Sequence, residues 1–174
     1  MTDVPSWLTA SGLIGALAFG LLSAFFPPLN AEVYALAAPV IFPEQWALHI
    51  ALMTFGLVVG KITHFVAAAK GADAVSRRRA EKQLDDVERP RRSWGRVGAT
   101  LARWSKAMID VLDRPRLGPL VMFASSAIGF PPLAVVTVAA GVKRVSLVAF
   151  VVITTVGCLG RFLVTGLVVA YGIG

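Results

Sequence analysis

Hydrophobic residues fill five tracts of this chain, and the tracts are of two kinds. Residues 7–25, 46–69 and 146–173 run with few polar interruptions, and each is long enough for a helix to cross a hydrocarbon layer, which takes about 20 residues. These three are expected to be transmembrane spans. Residues 26–43 and 117–142 are broken. Pro27, Pro28, Pro39 and Pro43 punctuate the first, with Asn30 and Glu32 near its start, while Gly129, Pro131 and Pro132 divide the second into pieces too short to span alone. A Pro-Pro pair removes two backbone donors and pushes the preceding residue away from helical geometry, so each broken tract is predicted to turn within the membrane. Freed backbone survives at that depth only when protein surrounds it or it lines a wet cavity. Two re-entrant helical hairpins are the economical expectation.

Composition supports a membrane setting: 56% of residues are hydrophobic, 16% are charged and the mean hydropathy is +0.72, outside the usual range of a soluble domain. The 174 residues are read as a single all-α integral membrane domain. The opening "MTDVPSW" has no basic residue, and no cleavage site follows the first tract, so that tract is expected to be retained rather than removed as a signal. Cys158 is the single cysteine and sits in an apolar run, which leaves no intrachain disulfide and reads as a small buried residue.

Charge then orients the tracts. Residues 70–116 hold thirteen of the seventeen Lys and Arg against seven acids, a local net of +6 out of +7. A short basic loop between spans is expected on the cytoplasmic side. Nucleic-acid binding is not expected, because acids are interspersed through "AEKQLDDVERP" and no nucleic-acid-binding fold is recognisable. Within the loop, Trp94, Val97, Leu101, Trp104, Met108 and Val111 recur at steps of three and four, while Arg96, Arg103 and Lys106 fall elsewhere around the same helix. An amphipathic helix over 93–112 is predicted, lying on an anionic membrane surface or packing on the membrane domain itself.

A consistent topology runs residues 7–25 outward, dips the first hairpin in from outside and returns 46–69 to the basic loop. The second hairpin then enters from the cytoplasm and Lys143-Arg144 emerges there. Every basic segment is cytoplasmic and Glu44 is outside, as the charge rule prefers. Hairpin plus span thus occurs twice with opposite orientation, an inverted repeat. "FPPLNAEVYALAAPV" and "FPPLAVVTVAAGV" open its halves, and Gly60-Lys61 and Gly160-Arg161 sit deep in the spans that follow. Lys61 and Arg161 come 35 and 31 residues after the Phe of their FPPL. Discontinuous helices in inverted repeats are the architecture of many transporters, whose sites lie near the midplane.

"LLSAFFPPLNAEVYALA", "AAGVKRVSLVAF" and "GCLGRFLV" resemble segments of the DedA (SNARE-associated, VTT-domain) superfamily, especially its small YqaA-like bacterial members. There a Pro-x-x-x-Glu hairpin, an Ala-Gly-x-x-Arg-x-Ser turn and a Gly-x-x-x-Arg-Phe span recur. The resemblance covers nearly the whole chain except its ends and part of the basic loop. It implies a flippase- or scramblase-type lipid transporter of the bacterial inner membrane, moving undecaprenyl phosphate or a phospholipid. It places the hairpin acid at Glu32 and the basic residue of the last span at Arg161. Members of the superfamily typically carry two arginines in the second hairpin; here Ala127 and Leu133 stand at those positions, a departure from the pattern that weakens the expectation of direct phosphate capture by that hairpin and with it the substrate assignment.

The residues themselves carry the same candidates. An ionisable group in hydrocarbon costs roughly 2.5 to 3.5 kcal/mol, so such groups face a cavity or a partner. Arg161 lies too deep to snorkel to the near side and could grip a phosphate through its planar fork of donors. Lys61 is its repeat-related counterpart, equally open to snorkelling. Glu32 is a candidate for a proton-coupled step or for pairing with Arg161. Asn30 is expected to satisfy freed backbone groups, with substrate contact the alternative. Ser125 and Ser126 could donate to a phosphate or, as membrane serines usually do, to the backbone. Gly56 and Gly60 suit close helix packing. His49 and His64 stand too far apart for a metal site, and no cofactor is expected. The expected partners are membrane lipids, anionic phospholipid or polyprenyl phosphate. Two other readings stay open: a proton-coupled exporter of small cations or drugs, and a non-transporting scaffold working through its basic loop. An enzyme is not expected, since no nucleophile–base pair, metal cluster or phosphate loop can be found.

Overall fold

The computed structural model describes residues 6–26, 29–82 and 117–172, with side chains over 12–26, 29–74 and 117–172. Six α-helices occupy these residues, and no strand is found among them. They are α1 (Ser6–Phe25), α2 (Ala31–Ile41), α3 (Trp46–Lys82), α4 (Leu117–Ile128), α5 (Leu133–Val142) and α6 (Leu147–Gly172). Two are long and apolar enough to cross a membrane, α3 over Trp46–Ala74 and α6 over Leu147–Gly172. On α6, Val148, Val152, Val156, Val164, Leu167 and Val168 are all exposed, an apolar surface of a kind that soluble monomers rarely present. The chain is accordingly read as membrane-associated. Pro27, Pro28, Trp94, Arg96, Trp104 and Arg103, with the whole 93–112 segment, lie outside the described residues.

Local chemistry sets the helix ends. Asn30 caps α2, its side-chain oxygen accepting the Glu32 N–H at 3.0 Å, so one of the orphan donors of the helix start is satisfied. Gly129 closes α4 at φ +85, its N–H bonded to the Ser125 carbonyl at 3.0 Å, a left-handed position that a Cβ would disfavour. Pro132 stands just before α5, where its missing N–H costs nothing. Past α5, the Val145 N–H bonds the Ala140 carbonyl and the Arg144 N–H the Gly141 carbonyl, both at 3.1 Å, with Arg144 at φ 53. This is a Schellman cap with arginine where glycine is usual.

The direction of packing follows from the close approaches. Gly12 of α1 lies against His49 of α3, Gly20 against Met53 and Leu57, and Gly56 and Gly60 against Leu17, Leu21 and Ala24. The numbers rise together, so α1 and α3 run parallel and start at the same end. Small residues four apart on α1 (Gly12, Ala16, Gly20, Ala24) let the two backbones come this close. α2 runs back from the α1 end, and Phe42 beyond it stacks on His49. In the second half, Ser126 of α4 and Gly129 just past it meet Gly157 and Arg161 of α6, so these helices are parallel as well. Gly141 of α5 meets Phe65 and Ala68 of α3. The two long helices are antiparallel, with Phe65 against Phe150 and Gly166 against Ile50.

Two expectations are thereby corrected. Residues 7–25 were expected to cross opposite to 46–69, which requires antiparallel packing; instead α1 and α2 form the limbs of one helix–break–helix unit. Residues 26–43 hold a single helix that accommodates Pro39, not a hairpin of their own. Charge could not distinguish these arrangements, because residues 1–25 contain no Lys or Arg. α3 also continues past 69 into the basic segment, as far as Lys82. There Asp73 forms an ion pair with Arg144, which puts Lys143-Arg144 at the end of the molecule where α3 carries its basic residues.

Two apolar clusters fill the interior. One joins Ala16 and Ala24 of α1, Ala31, Ala35 and Ala38 of α2, Ile50, Met53 and Leu57 of α3, and Cys158 and Phe162 of α6. The other joins Phe65, Met122, Val136, Ala139, Ala140 and Phe150 from α3, α4, α5 and α6. Each cluster therefore rests one helix–break–helix unit on both long helices.

Candidate functional site

The two breaks meet at the middle of the long helices. Lys61 is 15 residues past Trp46 and Arg161 is 14 past Leu147, each about 21 to 23 Å along its helix at 1.5 Å per residue. Arg161 and Glu32 form an ion pair, their side chains 23% and 49% exposed. Glu32 is the second residue of α2, directly after the first break. The guanidinium also lies over the second break: a Cβ on Gly129 would come within 2.6 Å of Arg161 Nη1. One side chain of α6 thus bridges both discontinuities, and Gly129 is required for its space as well as its φ.

The neighbouring hydroxyls are committed to backbone. Ser125 Oγ donates to the Pro131 carbonyl at 2.6 Å, tying the α4 end across the break. Ser126 Oγ lies 2.9 Å from the Phe123 carbonyl and 3.0 Å from that of Met122, and both serines are fully buried. Gly157 of α6 leaves the room Ser126 occupies. Asn30 acts as the cap of α2. These three residues hold the breaks in shape, a role that accounts for their polar groups without a ligand.

Lys61 differs from all of them. It is 8% exposed, and it makes no hydrogen bond or ion pair among the described residues. Cys158 of α6 and His64 one turn further along α3 are near enough to interact with it electrostatically. Neighbouring side chains cover most of its length.

Two polar residues, Tyr34 and Thr154, were not singled out by sequence, and the two histidines take structural roles. Tyr34 of α2 shares a hydrogen bond with Nδ1 of His49 at 3.0 Å, and His49, 1% exposed, stacks on Phe42 with centroids 3.8 Å apart. This latch fixes the far end of α2. His64 meets the Phe25 ring edge-on at 4.8 Å, well away from His49 on the same helix. Thr154 is fully buried, and its Oγ1 is the one buried side-chain polar atom among the described residues without a partner. Nothing in "VITTVG" marks it out.

Two cations and one carboxylate stand near the helix breaks, Lys61 and Arg161 each midway along a long apolar helix. Among the described residues no three metal-ligating side chains come together. Searches against protein-family models, curated proteins and solved structures return no match to this chain.

Proposed function

We propose that the protein is a lipid transporter of the DedA type, moving an anionic lipid across the bacterial inner membrane. The observation that carries this is the Arg161–Glu32 pair, which joins two helix breaks at the midpoint of the chain's two longest apolar helices. Broken helices meeting at ionisable groups near the midplane are how secondary transporters build substrate sites.

On this reading α1–α2 and α4–α5 are re-entrant hairpins entering from opposite faces, and hairpin plus long helix forms an inverted repeat. The pairings support it, since exchanging α1, α2 and α3 for α4, α5 and α6 turns the α1–α3 contact into α4–α6 and α2–α6 into α5–α3, all of them present. The end carrying Lys70, Lys143 and Arg144 is cytoplasmic and Glu44 is outside. An anionic headgroup moves along the polar seam between the hairpins while its tails stay in the bilayer. Glu32 and Arg161 close the seam at rest, and their separation admits the headgroup. Protonation of Glu32 releases the guanidinium, which would couple passage to a proton.

Purified protein in liposomes with fluorescent phosphatidylglycerol, or with undecaprenyl phosphate read by an impermeant phosphatase, tests this reading. Transport above empty vesicles that drops on Glu32→Gln and on Arg161→Ala is expected. Wild-type vesicles indistinguishable from empty ones for both lipids would exclude it.

A further inference from the structure

The proposed seam contains two cations, and they are not equivalent. Arg161 already has a carboxylate partner in Glu32 and packs over Gly129. Lys61 has neither. A buried cation without a counter-ion is costly unless something else neutralises it.

A second orphan lies at the same level. α3 and α6 are antiparallel, and Phe65 packs on Phe150 with ring centroids 5.0 Å apart. Lys61 is four residues before Phe65 and Thr154 four residues after Phe150, so both sit about one helical turn from that pair in the same direction. Thr154 Oγ1 is fully buried and unpartnered among the described residues. An ammonium and a hydroxyl, both donors and both unused, therefore occupy one stretch of the seam between the long helices.

Resting on the lipid-transport reading, we infer that the anion-binding group of the site is Lys61, assisted by the Thr154 hydroxyl, and that its ligand is a monoanionic phosphate ester. Arg161 and Glu32 form the closure beside it. The charge of ligand follows from the charge of the site. Among the described residues, Lys61 and Arg161 against Glu32 leave one uncompensated positive charge, which a phosphodiester neutralises. A dianionic phosphomonoester would leave a net negative charge buried, which is disfavoured. The diester arm of the lipid class is thus favoured over polyprenyl phosphate.

Native mass spectrometry of the purified protein, released from micelles containing phosphatidylglycerol, phosphatidic acid and phosphatidylcholine, reads this directly. Wild type is expected to retain phosphatidylglycerol selectively. Lys61→Met should lower that retention about tenfold or more, the loss of one charge-assisted contact, and Lys61→Arg should restore it. Methionine is readily accommodated at a buried charged position, and Thr154→Val gives a second variant of nearly unchanged shape with a smaller expected loss. Glu32→Gln raises the site charge by one and should shift retention toward phosphatidic acid. Selectivity unchanged in Lys61→Met overturns the assignment while lipid transport by wild type keeps the broader reading. No anionic preference in wild type overturns both. Displacement of the lipid by inorganic phosphate at equal concentration supports the Lys61 site but overturns a lipid as its ligand.

Discussion

Adding one methyl group at Gly20 tests the parallel packing of α1 on α3. A Cβ there would run into the Met53 carbonyl, 2.7 Å from its carbon and 3.0 Å from the Leu57 nitrogen. All are backbone atoms inside a helix, so none can rotate aside and the helices themselves must separate. Overpacking typically costs about 1 to 3 kcal/mol, and rigid neighbours put this site at the upper end. Alanine regains about 1 kcal/mol of helix propensity over glycine, leaving a net loss of roughly 2 kcal/mol, about 30-fold in the folded-to-unfolded ratio. Gly15, on the same helix, meets nothing within 4 Å, so Gly15→Ala should be neutral or stabilising by up to about 1 kcal/mol. Gly56→Ala, whose Cβ would meet the Leu17 carbonyl and sit 2.9 Å from the Leu21 nitrogen, should resemble Gly20→Ala. The double variant should lose less than the sum, since one separation relieves both contacts. Reversible unfolding in mixed micelles measures these differences. Equal stability of Gly20→Ala and Gly15→Ala would refute the parallel packing, and with it the pairing of α1 and α2 in one helix–break–helix unit.

Other perturbations reach different parts of the structure. Arg144→Gly and Arg144→Ala both remove the exposed pair with Asp73, but only alanine keeps a Cβ at φ 53; the glycine variant should be more stable by about 1 to 2 kcal/mol in the same unfolding assay, and equality would count against the left-handed cap. Ser126→Val places a larger branched side chain against Gly157 and abolishes the hydroxyl's backbone contacts, and should destabilise by about 1 to 3 kcal/mol while Ser126→Ala costs less. Cysteine at Glu44 should react with an impermeant maleimide from the face opposite to cysteine at Lys143, with labelling from one common face contradicting the proposed orientation.

Much of the second half was legible because its break is spelled out. Gly129 and the Pro131-Pro132 pair fall between the observed end of α4 at Ile128 and start of α5 at Leu133. The basic pair at 143–144 lies near the end of α3 that carries its basic residues, where Arg144 pairs with Asp73. The pairing of Glu32 with Arg161 was one of the alternatives the sequence left open. The first half was harder. A 20-residue apolar helix has the same length whether it crosses or folds back, and without a basic residue before Lys61 the charge rule is silent on its direction. Packing of small residues decided it, and a stripe of Gly and Ala does not announce parallel or antiparallel. Lys61 was ambiguous for a related reason: its flexible stem permits snorkelling or burial, and only the surrounding side chains select one.

The dependence of each helix–break–helix unit on both long helices bears on how the chain is made. Glu32 is synthesised 129 residues before Arg161, and the α2 alanines, which also pack on α1 and α3, gain their contacts with Cys158 and Phe162 only after α6 leaves the ribosome. In the proposed arrangement the first half waits in the bilayer with an acid and an interrupted backbone uncovered, a state whose groups are costly in lipid. In that arrangement the first cluster is completed only when α6 is in place, and a nascent chain stopped before residue 147 is expected to be more exposed to proteases than the full chain.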